Sequence, residues 1–151
     1  MDYIQYIRKK VGHDMIIMVG CGVFPYKDGK VLLQRRKDNN CWACHGGGMN
    51  IGETPEEVAK RELLEETGLV AEKLELLGVF SGSDMLYTYP NDDQVCIVAV
   101  SYVCQEFSGN LLAQRDEVSE LKWFDIDDIP HNISPPDRQT MAAFVKWAKA
   151  K

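Results

Sequence analysis

Glu62, Glu65 and Glu66 stand within five residues of one another in the segment Pro55–Thr67. At about 100° per residue a helix would place all three in one arc roughly 100° wide, and apolar Val58 falls in that arc one turn earlier. A face that carries Val58 is turned toward protein or a cleft. Glu62 and Glu66 are four apart and carry like charge, which costs on the order of a few tenths of a kcal/mol in an isolated helix. Nothing basic at helical spacing relieves Glu66. The other acids have partners in prospect: Glu56 with Lys60 and Glu57 with Arg61, each in the favoured i to i+4 order of a solvated face. Clustered carboxylates on a shielded face repel and rise in pKa unless a cation sits among them, and hard oxygen ligands suit Mg²⁺ or Mn²⁺. The residues therefore point to a divalent-metal site. A charge run on a solvated helix face is the competing reading. The unpaired like charges weigh against it, as does the nearby triplet Gly46-Gly47-Gly48, where backbone can approach a ligand closely.

Punctuation marks the helix that must carry these acids. Thr54 is placed as N-cap, Pro55 suits the first helical position, Glu57 completes a capping box, and Gly68 supplies the stop. Residues 2–10 read as a short helix. The β-favourable run 15–24 reaches a turn at Lys27-Asp28-Gly29-Lys30, and residues 31–34 continue as the second strand of a hairpin. A polar loop, residues 36–40, leads to the glycine triplet. Residues 74–80 form a strand candidate, residues 95–104 are almost continuously apolar, as a strand buried on both faces would be, and residues 121–126 read as a last strand. Met141, Phe144, Val145 and Ala148 recur at i, i+3, i+4 and i+7, which marks a C-terminal amphipathic helix. The expected fold is α/β, a mixed sheet with helices packed on it. With no internal repeat and no linker, residues 1–151 are expected to form one domain.

Composition excludes several classes. With 17 basic and 23 acidic residues the net charge is −6, so no nucleic-acid track is expected, and an anionic substrate would need a cation's help. The longest apolar run has ten residues and includes two glycines, against about 20 needed for a membrane span. Cys21, Cys41, Cys44, Cys96 and Cys104 are odd in number and irregularly spaced, which suits free thiols in a reducing cytoplasm. Two short motifs mislead. Met18-Val19-Gly20-Cys21 looks like a lipoprotein cleavage box, but His13 and Asp14 interrupt the signal before it. Cys41-Trp42-Ala43-Cys44-His45 has the spacing of a haem attachment site with no export signal behind it, and no second Cys/His pair follows that would suit zinc.

From Gly47 to Leu69 the chain reads GGMNIGETPEEVAKRELLEETGL, which resembles the Nudix box, G-x5-E-x7-R-E-U-x-E-E-x-G-U with U aliphatic. Gly47, Glu53, Arg61, Glu62, Leu63, Glu65, Glu66, Gly68 and Leu69 fill every fixed position. The likeness extends more loosely to the hairpin with Leu32-Leu33-Gln34-Arg35-Arg36, to Trp42, and to Trp123-Phe124 before Pro130. In similar proteins a proline usually precedes the glycines; His45 stands there in this chain. The resemblance implies a Nudix α/β/α sandwich and hydrolysis of a nucleoside diphosphate linked to another group. It implies that Glu62, Glu65 and Glu66 bind Mg²⁺ or Mn²⁺ with the Gly46 carbonyl as a further ligand, that Arg61 orients the glutamates, and that Glu53 supports the site. A further acid is expected from a loop before the last strand: Glu117, with Asp116 and Glu120 as rivals. Either Glu62 or Glu117 would take the proton from the attacking water.

Outside the box the substrate is less legible. Asp84 stands where many ADP-ribose hydrolases of the family carry a proline, and Tyr87 falls at the position of the tyrosine marker of dinucleoside polyphosphate hydrolases. The segment around Tyr87 reads equally well as a hairpin approach with aromatic packing. Arg35, Arg36 and Lys37 end the second strand, where one of them could grip a phosphate. Two functions remain open: a metal-dependent pyrophosphatase acting on a nucleoside triphosphate, ADP-ribose or a dinucleoside polyphosphate, and a non-catalytic nucleotide sensor on the same fold. The expected partner is a small nucleotide, with no membrane and no DNA, and a homodimer is left open.

Overall fold

The computed structural model, which describes residues 2–112, 116 and 118–151, is organised around one long strand, β1 (Ile16–Lys27). Helix α1 (Tyr3–Val11) precedes it, and the turn at Asp28-Gly29 leads into β2 (Lys30–Arg36), with Tyr26 opposite Val31. Then come β3 (Trp42–Ala43), β4 (His45–Gly48), α2 (Pro55–Thr67), β5 (Leu69–Phe80), β6 (Leu86–Thr88), β7 (Gln94–Gly109), β8 (Val118–Asp125) and α3 (Arg138–Lys149). The sheet runs β3-β2-β1-β7-β5, with β4 added to β1, β6 to β7 and β8 to β2. β1 and β7 run parallel, from Ile16 beside Val95 to Pro25 beside Cys104, while β1–β4, β2–β8 and β5–β7 are antiparallel. This is the expected mixed sheet.

Side-chain alternation along the strands makes the layers. Val23 of β1 and Leu32 of β2 pack with Ala59 and Leu63 of α2, while Phe24, Val31 and Leu33 pack with Met141, Phe144 and Ala148 of α3. One helix thus covers each face, which is the α/β/α sandwich. Phe24 and Phe144 stack with ring centres 4.6 Å apart, so the apolar stripe read from the C-terminal sequence is the stripe that docks.

Helix α2 has the bounds expected of it. Thr54 Oγ1 accepts the Glu57 backbone N–H at 3.2 Å, and Gly68 closes the helix in the left-handed region at φ 81°. The reciprocal half of the capping box differs, because the Glu57 carboxylate accepts from the Thr54 hydroxyl at 3.1 Å instead of from its backbone N–H. The full capping box belongs to α1, between Asp2 and Gln5. Three expectations need correction. β5 begins at Leu69, because Leu69 and Ala71 are buried directly after the helix stop. β7 alternates at its start, Val95 and Ile97 buried and Cys96 and Val98 half-buried, and is buried without interruption only over residues 101–104. Arg61 does not pair with Glu57 but turns toward the glutamates. Among the described residues no helix is long and apolar enough to cross a membrane.

Candidate active site

One cleft of about 790 Å³ gathers residues from distant parts of the chain. Glu62, Glu65 and Glu66 of α2 line it beside the glycines of β4. Met18, Val95, Ile97 and Ala99 give it an apolar floor. Arg36, Lys37, Asp38, Tyr89 and Asp137 line it as well, and α1 closes one side with Ile4 and Arg8. The β4–β1 pairing brings the glycines in, Cys21 standing opposite Gly47 and Gly22 opposite Gly46.

The three glutamates share the cleft but not an environment. Glu66 is buried, at 3% exposure, while Glu62 is mostly covered and Glu65 is about half exposed. Glu66 Oε1 accepts the Gly46 backbone N–H at 2.7 Å, and its Oε2 accepts from Gln34 Nε2 at 2.8 Å. Burial, reinforced by the Glu62 charge and opposed by these hydrogen bonds, pushes Glu66 up to about 8. Among the described residues its side-chain partner is the neutral Gln34 amide. Glu62 accepts from Arg61 Nη1 at 2.8 Å and lies against Gly47, where a Cβ would run into the carboxylate. Glycine at position 47 is therefore what admits the Glu62 side chain.

Arg61 organises the remaining acids. Its Nε and Nη2 donate to the two oxygens of Glu53 at 2.8 and 2.9 Å, and its Nη1 also stands 3.7 Å from Glu65. Glu53 accepts the Asn50 backbone N–H at 2.9 Å, and the Arg61 guanidinium holds its carboxyl below the usual range. Of the acids expected from the loop before β8, Glu117 lies outside the described residues. Asp116 lines the cleft, whereas Glu120 stands 3.7 Å from Arg35.

Among the described residues no three His, Cys, Asp or Glu side chains form a ready-made cation site; Glu66 is bonded to Gly46 and Gln34, and Glu62 and Glu65 lean on Arg61. The groups nonetheless suit a divalent cation. They are hard oxygen donors at one end of the cleft, and the space left by the missing Gly47 Cβ keeps the Glu62 carboxylate against the glycine strand. A cation there would restore the charged form that burial disfavours at Glu66.

Several residues come together here that spacing along the chain does not connect. Arg36 forks onto Asp38 through Nε and Nη2 at 2.8 and 2.9 Å, whereas Arg35 bonds Asn40 at 2.7 Å and pairs with Glu120. Asp137, raised by burial, accepts the Cys44 backbone N–H at 2.9 Å. His45 is fully buried with both ring nitrogens engaged, and burial lowers it to about 4, so the haem-like spacing is incidental. Cys21 of the apparent lipoprotein box is buried in mid-strand, and all five cysteines are free. The one signal pointing to Gln34 was a polar residue closing the apolar run Val31-Leu32-Leu33.

The NUDIX domain family matches residues 17–146. An ADP-ribose pyrophosphatase of Methanocaldococcus jannaschii is 36% identical over 148 residues, 96% of this chain and 78% of that protein. An RNA pyrophosphohydrolase of Xanthomonas campestris pv. campestris is 46% identical over 77 residues, 47% of this chain and 37% of its own. Among solved structures, the MutT NUDIX hydrolase of Burkholderia pseudomallei superposes with a TM-score of 0.72 at 31% identity, covering 87% of this chain and 97% of that one. The family match runs from β1 into α3 and takes in all of α2, and the protein accordingly belongs to the NUDIX domain family, as a Nudix pyrophosphohydrolase.

Proposed function

We propose that the protein hydrolyses the pyrophosphate bond of a nucleoside diphosphate derivative, ADP-ribose foremost, in a reaction that depends on Mg²⁺ or Mn²⁺. One observation carries the reading: the α2 glutamates and the glycine strand share a single cleft with the cations Arg36 and Lys37. An ADP-sugar is a dianion with a flat base at one end, and the cleft offers hard oxygens, cations and an apolar floor to match. The name of the Methanocaldococcus relative supports ADP-ribose. Tyr87 adds no support for a dinucleoside polyphosphate, since its ring packs edge-on against Tyr89 at 4.9 Å and its hydroxyl accepts from Asn39.

In the proposed reaction water adds to one phosphorus, the P–O–P bond opens, and AMP and ribose 5-phosphate leave. Glu62, Glu65, Glu66 and the Gly46 carbonyl would hold a divalent cation, which would supply charge neutralisation and a more nucleophilic water. The chain's own part is positional. Arg61 ties Glu53 to the working face of α2, Glu62 takes the proton with Glu117 as the alternative acceptor, and Arg36, held by Asp38, meets a phosphate oxygen. A cytoplasmic setting fits the free thiols.

The test is a panel of ADP-ribose, nucleoside triphosphates, dinucleoside polyphosphates, nucleotide sugars and 5′-triphosphorylated RNA, each with Mg²⁺ or Mn²⁺ and followed by product chromatography. AMP and ribose 5-phosphate from ADP-ribose are expected. Turnover confined to nucleoside triphosphates would replace the substrate assignment, and tight nucleotide binding with no turnover anywhere would favour a sensor.

A further inference from the structure

Gln34, His45 and Glu66 form a polar cluster with essentially no exposure to solvent. The Gln34 amide nitrogen faces three acceptors: Glu66 Oε2 at 2.8 Å, the Cys44 carbonyl at 3.1 Å and His45 Nδ1 at 3.2 Å. Turned over, the amide would aim its oxygen at a carboxylate and a carbonyl, so its surroundings allow one orientation. His45 is constrained in the same way. Its Nε2 lies 2.9 Å from the Leu32 carbonyl, which can only accept, so the ring proton sits on Nε2 and Nδ1 offers a lone pair. Both contacts tie β4 to β2 immediately before the glycines. The other Glu66 oxygen takes the Gly46 N–H. The carboxylate is thus held at both oxygens by groups anchored in two strands.

We propose that Gln34 and His45 are positioning residues: His45 sets the Gln34 amide, and the amide sets Glu66 for the divalent cation. The inference rests on the hydrolase reading above and gives His45 a task that a residue without a ring acceptor cannot perform. Two N–H hydrogens serve three acceptors, so the bond to Glu66 is shared with Cys44 and His45 and responds to charge at Glu66. Partners that orient metal-binding side chains in this way typically change metal affinity by about 10- to 100-fold when lost.

The experiment uses the full chain. The Gln34 side-chain amide and the His45 ring nitrogens are followed by NMR during a Mg²⁺ titration of the wild-type protein. Mn²⁺ affinity is measured by electron paramagnetic resonance for wild type, Gln34→Leu, His45→Phe and the double variant, each checked by thermal melting. The Gln34 amide protons are expected to shift in step with Mg²⁺ binding. Each single variant should weaken Mn²⁺ binding about 10- to 100-fold, and the double variant no further than Gln34→Leu, since His45 acts through Gln34. Gln34 protons unmoved at Mg²⁺ saturation, or folded variants with wild-type Mn²⁺ affinity, would overturn the proposal. Should the variants not fold, the wild-type titration decides alone. A wild type that binds neither ion would instead overturn the metal-dependent hydrolase reading itself.

Discussion

Arg61 and Glu53 meet through two parallel hydrogen bonds, Nε to Oε2 at 2.8 Å and Nη2 to Oε1 at 2.9 Å. The third nitrogen of the same guanidinium reaches Glu62 at 2.8 Å. A loop acid is thereby fastened to the face of α2 that lines the cleft, and one planar cation sets the spacing of two carboxylates. Lysine can deliver the charge but not the fork.

Arg61→Lys should therefore keep the fold and lose rate. The difference between a bidentate and a single charged contact is about 1.5–3 kcal/mol, or roughly 10- to 100-fold in kcat. Initial rates on ADP-ribose and a thermal melt check this. Unchanged rates would mean that only the charge of Arg61 matters.

Stability without divalent ions should fall as pH rises from about 6.5 to 8. Burial raises Glu66 from 4.5 to about 8, so the folded state binds a proton that the unfolded chain has released, and the stability gained is lost as pH climbs through the folded value. His45 has the opposite sign. Lowered from 6.5 to about 4, it contributes stability above pH 6.5 that is lost as pH falls toward 4. His45 is silent in the upper window, and Asp137, also raised by burial, adds to Glu66 with the same sign. Melting temperature against pH in EDTA should decline there, and Glu66→Gln should flatten the decline.

Gly46 and Gly47 should respond differently to alanine. A Cβ at Gly46 would strike the Cys21 carbonyl and the Gly22 Cα, both backbone, so the β1–β4 pairing must shift and the melting temperature should drop. At Gly47 the obstacle is the flexible Glu62 carboxylate, so Gly47→Ala should fold yet move that group by about 1 Å, a displacement worth roughly 100-fold in kcat. Melting curves and rates on both variants separate the two effects.

Arg36→Ala should act on substrate binding. Its guanidinium is oriented by Asp38 rather than by the glutamates, so KM for ADP-ribose should rise about 10-fold or more while kcat holds. Equal losses in KM and kcat would place Arg36 among the reacting groups.

The helix that carries the glutamates was legible because its signals are local. Thr54, Pro55 and Gly68 fix its ends from adjacent positions, and one turn of spacing puts Glu62 beside Glu66. The neighbours of Glu66 were not legible as such. Gln34 reaches it from 32 residues away and the Gly46 N–H from 20, through strand pairings that no short-range pattern encodes. The pairing of Arg61 with Glu57 failed for the same reason. Helical spacing made Glu57 available, but the loop folded Glu53 back onto the guanidinium and offered a better fork. Asp137 and Arg36 likewise reach one cleft from α3's N-terminus and the end of β2.

On the proposed function, the α2 carboxylates run a divalent-cation-dependent hydrolysis. Its most direct test is the rate of AMP release from ADP-ribose by wild type and Glu66→Gln, each with Mn²⁺ and with EDTA. Wild type should turn over with Mn²⁺ and not in EDTA, and the folded variant should be slower by roughly 100-fold or more, as several kcal/mol of transition-state charge stabilisation disappear. Turnover by wild type in EDTA, or a Glu66→Gln rate equal to wild type, would contradict it.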